Sequence, residues 1–167
     1  MSRPRILLGE DHPRVADELR RLLEPQFDVA AVVGDWSALL REAEVMCPDV
    51  IVTDIVMPGL DGIAATSTLL ARRPGSRVVL ITVYDDLELV VRGYAAGALA
   101  CVSKVTASSD LVPAVRAALR VGRYGPAPRS EGSPLGNAPS GRQEGASHGG
   151  DSGEGAAHPR DHNGERK

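Results

Sequence analysis

Residues 49–62 read DVIVTDIVMPGLDG, and this stretch decides the fold. Val50 to Thr53 is an unbroken run of β-branched residues, with no polar alternation, that stops at the carboxylate of Asp54. A short run of this kind suits a strand covered on both faces, as in a parallel sheet. Pro58-Gly59 then turns the chain, and Gly62 opens a helical pattern that runs to Arg73 and stops at Pro74-Gly75.

Working outward, four further apolar runs occur: RILLG at 5–9, FDVAAVV at 27–33, RVVLIT at 77–82 and ALACVSK at 98–104. The first and fourth are as uniformly apolar as the central run; the second and fifth carry weaker patterns. Helical periodicity fills the gaps. Val15, Leu19, Leu22 and Leu23 share one face of a helix with Pro13 in its first turn. WSALLREAEVM forms the second helix, ended by Pro48. A fourth is expected from about Asp86 to Ala96 before Gly97, and a last one from near Ser108 and Ser109 to Gly122. Strand and helix alternating five times predict an α/β fold, a doubly wound five-stranded parallel sheet with helices on both faces. Nothing repeats at a fixed period.

The strand ends carry the chemistry. The first run ends at Glu10 and Asp11, the third at Asp54, the fourth at Thr82 and the fifth at Lys104. Parallel strands share one C-terminal edge, where ligands bind close to the reversal of strand order. With the flavodoxin-like order 2-1-3-4-5, Glu10, Asp11 and Asp54 converge, and Thr82 and Lys104 approach from the far side. Three crowded carboxylates repel one another, and burial penalises their charged forms further. A hard divalent cation resolves that conflict, and Mg2+ favours one or two carboxylates, waters and phosphate oxygens. The expected metal ligands are Asp11, Asp54 and the backbone carbonyl of Val56, with Glu10 reaching the ion through water. With a lysine and a hydroxyl added, the site is similar to a phosphoryl-transfer cradle: Asp54 as nucleophile, Lys104 neutralising the moving charge, Thr82 bonding an oxygen.

These residues resemble two-component response regulators over positions 1–124, in particular the LuxR-type (NarL/FixJ) branch. The matching segments are GEDHP at 9–13, DVIVTDIVMPGLDG at 49–62, VVLIT at 78–82, GYAAGA at 93–98 and VSK at 102–104. The resemblance implies that Asp54 is the phosphoacceptor, that Mg2+ is the cofactor and that a sensor histidine kinase is the partner. Output would be partner docking or homodimerisation. Two departures stand out. Cys101 occupies the place, three residues before the lysine, where the family usually has Tyr or Phe, and Val105 follows the lysine where many receivers have Pro. Val83 and Tyr84 are bulky and, with Val56, are expected to shield the phosphoryl group from water and slow its loss. His12 reads as structural at a helix entrance.

Beyond Tyr124 the composition changes. From Gly125 to Lys167 the only large aliphatic residue is Leu135, which predicts a disordered Gly/Ser/Pro-rich tail after a receiver domain at 1–124. His148, His158 and His162 in it lack regular spacing. Family members typically continue into a helix-turn-helix domain, whereas GPAPRSEGSPLGNAPSG follows Gly122-Arg123-Tyr124 here. The chain therefore reads either as a stand-alone receiver or as a truncated or frameshifted transcription regulator.

The formal net charge is −3, with no basic stripe, which argues against direct DNA binding by this chain. The two cysteines, Cys47 and Cys101, lie in apolar segments and read as buried free thiols of a reducing compartment. No apolar run approaches the ~20 residues of a membrane span, and the N-terminus enters a strand at once, so a cytoplasmic location is expected. An enzyme acting on an external substrate is disfavoured. A phosphohydrolase with a nucleophilic aspartate would need a second aspartate where Val56 stands. A dinucleotide site would need a glycine-rich turn where Glu10-Asp11-His12 stands, and flavin binding has no positive support.

Overall fold

In the computed structural model, which describes residues 1–83 and 86–121, the run 50–54 is the central strand of a five-stranded parallel sheet. The elements alternate throughout: β1 Arg5–Gly9, α1 Pro13–Leu23, β2 Asp28–Val33, α2 Trp36–Met46, β3 Val50–Asp54, α3 Gly62–Arg72, β4 Val78–Thr82, α4 Leu87–Ala95, β5 Ala100–Ser103 and α5 Ala107–Arg120. Strand order is β2-β1-β3-β4-β5, as expected. β1 aligns with β3 through Ile6–Val50 to Gly9–Thr53, and β3 with β4 through Ile51–Val78 to Asp54–Ile81.

The pleat divides the strand side chains between two cores. Ile6, Leu8, Val50, Val52, Val79 and Ile81 face α1 and α5, packing with Leu19, Leu23, Leu111 and Val115. Leu7, Ile51, Val78 and Leu80 face the opposite layer, with Trp36, Leu39 and Leu69 from α2 and α3. Both faces of the three inner strands are thus dry, which is why their sequences are continuously apolar. The outer strands differ: β2 alternates exposed and half-buried residues, and β5 is mostly half-buried. Their weaker sequence patterns reflect incomplete burial at the sheet edges, where neither face is fully covered.

The starts of α2, α3 and α4 are fixed by carboxylate caps. Asp35 accepts from Ala38 N at 2.7 Å, Asp61 from Ala64 N at 2.8 Å and Asp86 from Glu88 N at 2.9 Å. At the start of α3, Gly62 sits so close to the backbone of Ile55 that any Cβ would collide with its carbonyl oxygen. The loop after β3 is thereby pressed onto α3, which fixes where Asp54 points.

The expectation for the cysteines is corrected. Cys47 is exposed and Cys101 is half-buried. Cys47 falls just past the last residue of α2, where the chain turns with a left-handed φ of 47° ahead of Pro48, so its side chain leaves the core. α5 begins one residue ahead of the expected start. Tyr84, the helix stop at Gly122 and the extension read at 125–167 lie outside the described residues. Among the described residues, no helix is long and apolar enough to cross a membrane.

Candidate functional site

Parallel alignment brings the polar strand ends to one edge. Glu10 follows β1 directly, and its amide bonds Val33 O of β2 at 2.9 Å. Asp54 closes β3, and the next amide, of Ile55, bonds Ile81 O at 3.0 Å. The Lys104 amide bonds Thr82 O at 2.8 Å, so the ends of β4 and β5 are tied together through the backbone of the two residues. Glu10, Asp54 and Thr82 are buried polar residues.

Lys104 is the hinge of the arrangement. Its ammonium lies 2.5 Å from Asp54 Oδ2 and 2.6 Å from Glu10 Oε2, one cation between two buried carboxylates. Asp54 Oδ1 accepts the Val56 amide at 3.0 Å, so both of its oxygens are held and the carboxylate plane is fixed. Burial alone would push the Lys104 ammonium toward neutrality, but hydrogen bonds and attraction from Asp54 and Glu10 outweigh it, and its pKa is raised.

Asp11 stands beside this pair. Its Oδ1 is buried and accepts no hydrogen bond, although His12 Nδ1 is 3.0 Å away. His12 Nδ1 also lies 3.2 Å from Glu10 Oε1, and the His12 amide bonds the same oxygen at 3.1 Å. Ligand atoms of Glu10, Asp11 and His12 come within 4.8 Å of one another. Reading His12 as merely structural overlooked this contact; its position directly after the acidic pair was the available signal.

Of the residues singled out in the sequence, Glu10, Asp54 and Lys104 are in direct contact, and Asp11 joins through His12. Thr82 is linked to Lys104 through the backbone, and Val56 to Asp54 through its amide. Val56, Val83 and Val105 are exposed around the rim, whereas Tyr84 is outside the described residues. Two buried carboxylates, Glu10 and Asp54, share the Lys104 ammonium, while Asp11 lies against His12 beside them. Carboxylate oxygens of Glu10 and Asp11 beside the His12 imidazole, one of them a buried Asp11 oxygen without a hydrogen bond, fit a divalent cation. Chemically, the arrangement offers a carboxylate of fixed orientation with a cation at hand.

The response regulator receiver domain family matches residues 6–116. Two regulators of Bacillus subtilis (strain 168) are similar: the transcriptional regulatory protein YxjL, 34% identical over 70% of this chain and 54% of its own length, and LiaR, 34% identical over 68% and 55%. The chain spans about half the length of the curated relatives it matches. Among solved structures, a LuxR-family two-component response regulator from Aurantimonas sp. SI85-9A1 superposes with a TM-score of 0.69 at 32% identity, covering 75% of this chain and 91% of that one. The signal receiver domain of a NarL response regulator from Mycobacterium tuberculosis gives 0.69 at 26% identity, covering 72% and 99%.

Proposed function

Because the chain belongs to the response regulator receiver domain family of two-component systems, we propose that it is a phosphorylatable switch in which Asp54 accepts a phosphoryl group from the phosphohistidine of a sensor kinase. A P–O bond forms to the Asp54 carboxylate as the P–N bond to the donor imidazole breaks. The observation that carries this reading is the double grip on Asp54: Val56 N on one oxygen and Lys104 Nζ on the other, at a buried strand end. Lys104 orients the carboxylate and is placed to balance charge on the transferred oxygens. The Thr82 hydroxyl, at the neighbouring strand end, is assigned to one of those oxygens.

Glu10, Asp11, Asp54 and the Val56 carbonyl are the groups that would hold Mg2+. When bound, the ion supplies the charge neutralisation that phosphoryl transfer needs at a site with three carboxylates. Lys104 acts through its contacts to Asp54 and Glu10.

The modified site biases a two-state equilibrium in the segments after Thr82 and along α4 and β5, and the output is docking or dimerisation. Hydrolysis of an external phosphate ester finds no support, because the position two residues after Asp54 carries the aliphatic Val56. Incubation with acetyl phosphate and Mg2+ should add the mass of one phosphoryl group to the wild type and none to Asp54→Asn. No added mass in the wild type would overturn the reading.

A further inference from the structure

Helix α4 is weakly seated. Gly93 is its only buried residue, while Leu87, Val91 and Tyr94 are exposed. A helix with so little buried apolar surface lifts at low free-energy cost. Three contacts along one short seam hold it to β5. Gly93 lets the helix backbone approach the sheet, for a Cβ there would stand 2.9 Å from Leu80 Cδ1 and 3.0 Å from Cys101 Sγ. The Cys101 thiol points at Val90 O, 3.9 Å away. The Cys101 amide, on a strand at the edge of the sheet, donates to Tyr94 Oη at 3.3 Å.

The last contact is unusual in kind. An outer-edge amide normally turns to water, but here a side chain from the covering helix takes it. We propose that Tyr94 is a latch: its phenol oxygen fastens α4 to the edge of β5 and sets how readily Cys101 is uncovered. Both partners are wired to the acidic site. Cys101 lies on β5, whose end at Ser103 runs directly into Lys104, and α4 begins at Leu87, five residues after Thr82. Only the release of the latch on loading of Asp54 rests on the receiver reading.

Alkylation of the full chain by iodoacetamide, read peptide by peptide, tests the latch. Cys47 is exposed and remote from the seam, so it serves as the internal reference. Burial raises the Cys101 thiol pKa and keeps the closed form slow to react. Tyr94→Phe keeps the ring and removes the oxygen. Loss of one hydrogen bond of this kind should speed Cys101 labelling roughly two- to tenfold while Cys47 is unchanged. Faster amide hydrogen exchange of residues 99–103 in the same variant should accompany it. An unchanged Cys101-to-Cys47 ratio together with unchanged exchange would overturn the latch. With acetyl phosphate and Mg2+, wild-type molecules that gain the phosphoryl mass should label faster at Cys101, and equal labelling in those molecules would overturn release on loading. Absence of any mass gain would instead count against Asp54 as acceptor, while the Tyr94→Phe comparison, made on unmodified protein, still decides the latch.

Discussion

Lys104 Nζ lies 2.6 Å from Glu10 Oε2, an ion pair that joins the end of the first strand to the end of the last. The same ammonium also reaches Asp54, so it is the shared counter-charge of two buried carboxylates. A group in this position affects stability, its pH dependence and metal affinity at once.

Lys104→Met would leave Glu10 and Asp54 facing each other uncompensated. Urea unfolding at pH 7 should show a loss of roughly 1–3 kcal/mol, less than for a fully buried pair because the Lys104 side chain keeps 13% exposure. The native pKa of Lys104 lies above its ordinary value of 10.5. Its stabilisation is therefore complete below pH 10.5 and is lost as pH rises through the native value. The stability gap between wild type and Lys104→Met should narrow in that alkaline range. A gap that held constant there would contradict the shared-cation geometry.

Magnesium should raise the melting temperature of the wild type by mass action, and EDTA should reverse the rise. Asp11 supplies the buried oxygen that accepts no hydrogen bond. Asp11→Asn should therefore lose most of the magnesium-induced rise. Without metal it should be at least as stable as the wild type, since one crowded negative charge is gone. Differential scanning fluorimetry with and without Mg2+ checks both halves, and a full magnesium rise in Asp11→Asn would exclude the assignment.

Gly62→Ala tests the packing that aims Asp54. In an unconstrained helix start the change would be mild, but here the new Cβ meets the Ile55 carbonyl oxygen. A loss of about 1–3 kcal/mol is expected, as for other overpacked sites. Chemical denaturation measures it, and a neutral or stabilising outcome would mean that the loop after β3 is free to move.

The parallel arrangement was legible from the alternation of apolar runs and helical patterns, and the shared edge from the polar residues where the runs stop; the strand order itself came from the flavodoxin-like fold type. Glu10, Asp54, Thr82 and Lys104 each end a strand, and only a parallel arrangement brings them together. α2 was readable to the residue, with Asp35 before it and Pro48 after it. The edge strands β2 and β5 were faint because partial burial at the sheet edges relaxes the demand for continuous apolar residues. Two contacts escaped the sequence. His12 looked like a helix-entry residue because its partners, Glu10 and Asp11, precede it on a bend whose shape no periodicity encodes. Tyr94 was read only as part of a matching segment, since its bond to Cys101 crosses from one element to another and has no spacing rule. The burial of the cysteines was misjudged for a related reason: Cys47 ends an apolar segment, and the left-handed turn there rotates it outward.

The carboxylate–lysine cluster draws on both ends of the described chain, with Glu10 near its start and Lys104 shortly before its final helix. No shorter stretch growing from the N-terminus contains it. A nascent polypeptide on the ribosome therefore carries Asp54 long before it carries the cation that grips it, and under the proposed function it would become a competent acceptor only when β5 has been synthesised and paired. Unfinished chains and fragments cleaved ahead of β5 would in consequence stay silent toward the same donor.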